Sequence, residues 1–303
     1  MKSRIPTNGA NGFNKTSREK IAVARSQLNL EAELGRVLRA LSLVGIEPIL
    51  LKGPHLSTCF YEDPLERKYA DIDLIVREND IGRAVESLKK SGWKDIEEDV
   101  QYYSSFSDYR HHAEMVSPRR VYLDLHRDFT FKGKYRTNIE EMFERSVYIR
   151  VGRLNVRVLC NEDMLLGLCL HAAQSDMNIK ASNLVDIANV TKKGGIDWDA
   201  FLRRAKSAGA RVVSYYCLQS AIIQKGAVVP VNVMEALKPG AVRMWWLARN
   251  LDMSKSPLAQ KKFDRFFGQV INYQLPLIDN IRDWPPLLVV YFLFKLERGK
   301  KRE

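Results

Sequence analysis

Residues 70–76, with the sequence A-D-I-D-L-I-V, constrain the fold of this chain more than any other segment. Their alternation of carboxylates and aliphatic side chains predicts a β-strand, because successive residues of a strand point to opposite faces of the sheet. Asp71 and Asp73 would then lie side by side on one face, opposite Ile72 and Leu74. Two such carboxylates repel each other unless a cation lies between them, and Mg²⁺ prefers oxygen ligands of this kind. The alternative is a polar sheet edge that faces solvent.

The flanking sequence predicts a mixture of helices and short strands. Apolar residues repeat either with helical spacing or in short runs that are bounded by turn residues. The predicted elements are helices over residues 17–44 and from residue 79 or 80 to 92, a strand over 46–51, and hairpins over 111–126 and 147–159. From Asn161 onward the periodicity is helical throughout. This distribution indicates the α+β class.

The chain divides into three parts on the same grounds. Residues 1–16 form a polar, basic tail that we expect to be disordered, because it cannot bury enough apolar surface to offset ordering. Residues 17–160 would form a mixed α/β domain, and residues 161–303 a mostly helical one.

The charge balance indicates a polyanionic partner. The 303 residues include 48 Lys and Arg against 36 Asp and Glu, a net charge of +12. Nucleic acid, a nucleotide phosphate and an anionic membrane face all fit such a surplus. The apolar run 287–294 precedes a basic terminus, so peripheral contact with an anionic surface competes with our preferred interpretation, a docked helix. We expect a cytoplasmic protein, since the sequence shows neither a secretory signal nor a transmembrane segment.

Several residues elsewhere add to the two carboxylates of the 70–76 strand. Asp124 lies on a later predicted strand, again opposite the apolar face, and a third carboxylate from another strand is what a two-metal site requires. Lys52-Gly53 ends a strand, where Gly permits close approach and Lys neutralises phosphate charge. Arg67 would clamp a phosphate. Taken singly, each feature has an ordinary structural explanation: Asp124 as one half of a salt bridge, Gly53 as a turn residue and Arg67 as a surface charge.

Histidines extend this group. His126 shares its predicted face with Asp124. An even-length turn centred between residues 118 and 119 would place His111 opposite His126, and this pair would either extend a metal site or simply bind nearby carboxylates. His171 and Asp186 lie on successive predicted helices, and we expect them to form a buried hydrogen-bonded pair.

These motifs together resemble the polymerase-β-type nucleotidyltransferase superfamily. The narrower resemblance is to an uncharacterised bacterial nucleotidyltransferase family with the pattern K-G … R … D-I-D-L-L-V … D-L-H-W, and it covers roughly residues 30–225. The matching residues here are Lys52-Gly53, Arg67, Asp71-Ile-Asp73-Leu-Ile-Val and Leu123-Asp124-Leu125-His126. One departure from the superfamily is Pro54, which follows Gly53 and offers no N–H to a phosphate.

The resemblance implies a polymerase-β-like core over residues 17–160 and a defined set of roles. Asp71 and Asp73 would bind Mg²⁺ and through it a nucleoside triphosphate, and Asp124 would complete a second, acceptor-side metal and help deprotonate the attacking hydroxyl. The residues implied to hold the nucleotide or its phosphates are Lys52, Gly53, Arg67 and His126. Mn²⁺ is an alternative ion.

The implied reaction transfers a nucleoside monophosphate to a hydroxyl acceptor and releases pyrophosphate. ATP is the default donor, and the acceptor is open among small molecules, sugars, peptides or proteins, and RNA. Two alternatives compete with this hypothesis. One is a non-catalytic module of the same fold that binds nucleic acid or an anionic membrane, and the other is a kinase-like phosphoryl transfer at the same site.

Overall fold

A mixed sheet lies at the centre of the computed structural model, which describes residues 10–96, 112–130, 134–172, 179–250 and 278–279. Within these ranges the sheet has seven strands in the order β3-β4-β5-β2-β1-β7-β6. The strands are β1 (Ile49–Leu50), β2 (Asp71–Ile75), β3 (Lys94–Asp95), β4 (His112–Val116), β5 (Tyr122–His126), β6 (Val147–Val151) and β7 (Leu154–Val158). β2 runs parallel to β5 and antiparallel to β1, so the predicted carboxylate strand occupies the middle of the sheet.

Helices flank the sheet and make up the described chain after β7. They are α1 (Ala10–Ser42), α2 (Lys52–Phe60), α3 (Ile81–Lys90), α4 (Ile139–Arg145), α5 (Asn161–Ala172), α6 (Ala181–Lys193), α7 (Trp198–Ser207), α8 (Arg211–Lys225), α9 (Val231–Leu237) and α10 (Ala241–Asn250). This arrangement confirms the α+β class. Short 3₁₀ turns at Pro64–Glu66 and Glu78–Asp80 precede β2 and α3 respectively.

The first helix begins earlier than the sequence predicted. α1 starts at Ala10, ahead of the predicted helix start at residue 17, and residues 1–9 lie outside the described part of the chain. Once a helix is nucleated, each further residue adds a hydrogen bond at little extra entropic cost. A weakly apolar segment can therefore extend a helix that it could not start.

Two apolar cores cover the two faces of the sheet. On one face, α1 and α3 pack against the aliphatic residues that alternate with the carboxylates, among them Ile72 and Leu74. On the other face, Ile49 and Ile75 pack with α2 and with the helices that follow β7. Burying a side chain of this size contributes about 1.5–3 kcal/mol, so the alternation of β2 fixes which face its carboxylates occupy.

The pairing of β2 with β5 places the carboxylates next to each other. In this parallel pair Asp73 lies opposite Asp124, and Asp71 lies opposite Tyr122. Residues in register on adjacent strands point to the same face, so Asp73 and Asp124 share the face that the sequence predicted for them.

The register of the first hairpin differs from the prediction. His112, not His111, pairs with His126 across β4 and β5, and His111 lies outside the described residues. The Ser117 N–H donates to the Val121 carbonyl at 2.9 Å, which leaves a three-residue loop. Such a loop uses a left-handed last residue, and Arg120 adopts φ = 61° there. The odd loop length shifts every pair by one residue relative to an even-length turn.

No helix in the described part of the chain is both long enough and apolar enough to cross a membrane. The apolar run 287–294, for which contact with an anionic surface was considered, lies outside the described residues.

A buried histidine on α2 predicts a pH-dependent stability. His55 is 2% exposed, and its Nδ1 has no hydrogen-bond partner among the described residues. Burial lowers the pKa of His55 to about 4 from its usual 6.5. The unfolded chain therefore takes up this proton first, so the stability due to His55 is complete above pH 6.5 and is lost as the pH falls toward 4.

We expect the titration of His55 to lower the free energy of unfolding by about 2 kcal/mol as the pH falls from 7 to 5. His55→Leu should weaken the pH dependence by that amount, as measured by urea unfolding at the two pH values. Equal pH dependence in the variant and the wild-type protein would contradict the assignment.

Candidate active site

Two carboxylates and an imidazole meet on the face of β2 and β5 that points away from α1 and α3. The His126 Nε2 lies 3.2 Å from the Asp73 Oδ1, and Asp124 is the register partner of Asp73. Ligand atoms of Asp73, Asp124 and His126 lie within 4.8 Å of one another. Asp73 is 7% exposed, so its charge needs local compensation. The group presents three ligand atoms to a metal ion.

Lys52 supplies the compensating charge. It starts α2 directly after β1, and its Nζ lies 3.2 Å from the Asp73 Oδ1. Although burial alone raises the pKa of Asp73, Lys52 and then His126 hold it well below its usual range. Asp73 is therefore a carboxylate at neutral pH.

Gly53 makes the sharp entry into α2 possible. Its φ of 23° and ψ of −105° are not helical, and a side chain there would be strained. A Cβ at this position would also lie 3.4 Å from the Tyr69 ring. The tight turn aims Lys52 across the end of β1 toward β2. Pro54 follows in the helix, with its carbonyl accepting from the Ser57 hydroxyl at 3.1 Å.

The helical part of the chain contributes His171, for which the sequence predicted a structural pair with Asp186. Its Nδ1 and Nε2 lie 3.2 and 3.4 Å from the Lys52 Nζ. Burial, followed by the nearby Lys52 charge, lowers the pKa of His171 to about 3. The neutral imidazole thus accepts a hydrogen bond from the ammonium group. Lys52 and His171 are 119 positions apart in the sequence, so no local pattern pointed to the contact.

Asp71 lies two residues before Asp73 on the same face and is half-buried. Burial and then the charge of Asp73 raise the pKa of Asp71. The raised pKa reflects the free-energy cost of a second negative charge in this half-buried position beside Asp73. A bound cation would offset that cost.

Arg67 contacts Asp186 instead of lying free for a phosphate. The Arg67 Nε donates to the Asp186 Oδ1 at 2.7 Å, and the Tyr61 hydroxyl donates to the same atom at 2.6 Å. Asp186 is 1% exposed, so this ion pair fastens α6 to the segment before β2. The expected His171–Asp186 pair is therefore replaced by two separate contacts, of His171 with Lys52 and of Asp186 with Arg67 and Tyr61.

A divalent cation fits the carboxylates of this site. Mg²⁺ and Mn²⁺ both take carboxylate oxygens, and the side-by-side Asp73 and Asp124 offer them from two strands. Imidazole is a less usual ligand for these ions, so we expect His126 to orient the Asp73 carboxylate.

The chain matches one family model and several solved structures. The model describes an uncharacterised nucleotidyltransferase and matches residues 12–222. Among curated proteins, none matches the chain significantly. A lincosamide antibiotic adenylyltransferase, LnuA, with lincomycin bound is similar at 16% identity and a TM-score of 0.37, over 54% of this chain and 98% of that one.

Two further structures are similar at the same level. The antibiotic-resistance factor ANT(2'')-Ia has 12% identity and a TM-score of 0.40, over 60% of this chain and 91% of that one. An antigenic nucleotidyltransferase-like protein from Paracoccidioides brasiliensis has 13% identity and a TM-score of 0.41, over 70% and 93% of the two chains.

The family match covers more than two thirds of the sequence and includes every residue of the candidate site. It confirms the resemblance that the K-G, D-I-D and D-L-H motifs indicated. The chain therefore belongs to the family of uncharacterised nucleotidyltransferases.

Proposed function

We propose that this protein is a Mg²⁺-dependent nucleotidyltransferase that transfers a nucleoside monophosphate from a nucleoside triphosphate to a hydroxyl group and releases pyrophosphate. The observation that carries the proposal is the register of β2 and β5, which sets Asp73 beside Asp124 within reach of Lys52. Family membership supports nucleotidyl transfer in general. A protein that only bound polyanions would gain nothing from clustered carboxylates.

The carboxylates would hold the metal. Asp73 and Asp124, in register on adjacent strands, would bind Mg²⁺, with Asp71 as a further ligand on the same face. When bound, the metal neutralises phosphate charge and stabilises the attacking and leaving oxygens of an in-line displacement. His126 would keep the Asp73 carboxylate in one orientation through its 3.2 Å contact.

Lys52 would bind the phosphates of the nucleotide. Its ammonium group contacts both Asp73 and His171, so it is held at the edge of the carboxylate cluster. Its N–H donors are therefore not all directed at one ion pair. The neutral His171 directs the ammonium group and adds no positive charge of its own. Gly53 would leave room for a phosphate beside the backbone, and Arg67 would contribute through the field of its charge.

Asp124 is the residue that we assign to the acceptor. It lies on the side of Asp73 away from β1, since β5 and β1 flank β2 on opposite sides in the sheet. A carboxylate there would accept the proton of the attacking hydroxyl. ATP is our default donor, and the cytoplasm, where nucleoside triphosphates are made, is the location that we propose.

The reaction class is tested by the fate of labelled phosphates. The full chain would be incubated with Mg²⁺ and each of the four nucleoside triphosphates, labelled at the α- or the γ-phosphate, together with pools of small molecules, protein or RNA. We expect the α-label to appear on one acceptor pool and the γ-label in pyrophosphate, both abolished by EDTA.

Other outcomes would contradict the proposal in distinct ways. Transfer of the γ-label with release of a nucleoside diphosphate would indicate kinase-like chemistry. Absence of any Mg²⁺-dependent nucleotide binding, together with salt-sensitive RNA binding that survives Asp71→Asn/Asp73→Asn, would indicate a non-catalytic binding module.

A further inference from the structure

A cavity of about 530 Å³ opens on the opposite side of the sheet from the candidate active site. It lies between α1, the end of α3 and the β4–β5 turn. The residues that matter for its chemistry are Glu33, Arg36, Arg39, Leu43, Trp93 and Arg119. Its volume is within the range of small-molecule sites.

The sheet separates this cavity from Asp73 and Asp124. α1 packs against Ile72 and Leu74, which alternate along β2 with the carboxylates and so point away from them. The cavity is therefore outside the site that the proposed function uses, and its ligand is a separate question.

More positive than negative side chains line the cavity, and one buried carboxylate contacts two of its arginines. Glu33 is 4% exposed and contacts the Arg36 Nη1 at 2.6 Å and the Arg119 Nη1 at 3.4 Å. The side chains of Arg36 and Arg119 remain 40% and 63% exposed. Arg39 lies one helical turn from Arg36 and is exposed. Three guanidinium groups thus face one carboxylate, which leaves two positive charges for a ligand.

The arginines come from elements with little freedom to move apart. Arg36 and Arg39 belong to the C-terminal turns of α1, where Val37 between them is fully buried. Arg119 lies in a turn whose backbone is fixed by a hydrogen bond from its N–H to the Ser117 hydroxyl at 3.2 Å. A preformed set of donors binds an anion at a smaller entropic cost than mobile surface side chains do.

The chemistry of the lining selects a class of ligand. Guanidinium groups present planar pairs of N–H donors that match the oxygens of a phosphate. Leu43, which is 87% exposed, adds apolar surface beside them. We propose that this cavity binds a phosphate-bearing small molecule, with its phosphate on Arg36, Arg39 and Arg119.

The test is a calorimetric titration of the full chain with inorganic pyrophosphate in EDTA, which removes metal-dependent binding at the catalytic face. The test variant is Arg39→Gln/Arg119→Gln, which keeps the 2.6 Å Arg36–Glu33 pair and so avoids leaving Glu33 without a partner. The control variant, Arg18→Gln/Arg25→Gln, removes the same charge from exposed positions of α1. We expect the test variant to bind at least about tenfold more weakly than the wild-type protein, and the control to bind as the wild-type protein does.

Three results would overturn the proposal: no binding of pyrophosphate by the wild-type protein, an equal loss in the control variant, or a loss of this binding in Asp73→Asn. Tight binding of a long RNA oligonucleotide in place of pyrophosphate would also overturn it in favour of a nucleic-acid surface. Since the titration contains no free metal, its failure leaves the proposed nucleotidyl transfer unaffected.

Discussion

Asp73→Asn should lower the affinity for a Mg²⁺–nucleoside triphosphate by at least about a hundredfold. Asp73 is the carboxylate on which Lys52, His126 and the register partner Asp124 converge. The amide keeps the shape of the side chain and removes the negative charge, so the loss would be electrostatic. The measurement is a calorimetric titration with the nucleotide that the wild-type protein binds best, with Mg²⁺ and then with EDTA.

Two controls separate a lost metal site from a lost fold. Glu86→Gln removes a carboxylate from the exposed surface of α3 and should leave the affinity unchanged. Circular dichroism and thermal unfolding of Asp73→Asn should show an intact fold, because Lys52 keeps His171 as a hydrogen-bond partner. Mg²⁺-dependent binding that persists in a folded Asp73→Asn protein would contradict the metal assignment.

Arg67→Met should destabilise the protein by about 3–5 kcal/mol, because it leaves a buried carboxylate without its cation. Asp186 is 1% exposed, and Arg67 is its charged partner at 2.7 Å. Asp186→Leu should also be destabilising, whereas the double variant Arg67→Met/Asp186→Leu should recover most of the loss, since it buries no unpaired charge. Urea unfolding of the four proteins measures the coupling.

An exposed ion pair of equal length provides the comparison. The Lys20 Nζ lies 2.7 Å from the Asp63 Oδ2 at the surface, and Lys20→Met should change the stability little. Additive effects of Arg67→Met and Asp186→Leu would contradict a buried, coupled pair.

The double variant also tests the phosphate role that the sequence indicated for Arg67. Because this variant is expected to fold, its affinity for a Mg²⁺–nucleoside triphosphate can be compared directly with that of the wild-type protein. A weaker affinity would show that Arg67 acts on the nucleotide through its charge. An unchanged affinity would leave Arg67 a purely structural residue.

The sequence alone predicted those features that depend on local alternation and spacing. The period-two pattern of residues 70–76 set the strand and the face of Asp71 and Asp73, because a slip of one residue would have buried two carboxylates in the apolar core. The K-G, D-I-D and D-L-H motifs indicated the family, which the family match confirms. The helices described between Asn161 and Asn250 followed from apolar periodicity.

Contacts between distant segments required the tertiary structure. His171 reaches Lys52 across 119 positions of the chain, and Arg67 reaches Asp186 across the same separation. The spacing of polar residues on a helix does not identify their partners in distant segments. An Asp186–His171 pair was therefore as consistent with the sequence as the contacts that formed. Burial decided the outcome, since Asp186 and Asp73 each needed a cation within reach.

The hairpin register shows the same limit over a short range. Whether His111 or His112 faces His126 depends on a single residue in the length of the turn, and Arg120 in the left-handed region makes that length odd. Turn residues other than Gly, Asn or Asp seldom signal that conformation in advance. Local patterns thus indicated the strand carboxylates and Lys52, whereas long-range packing added His171 and decided which residues touch, because each buried charge is stable only beside the partner that the fold brings to it.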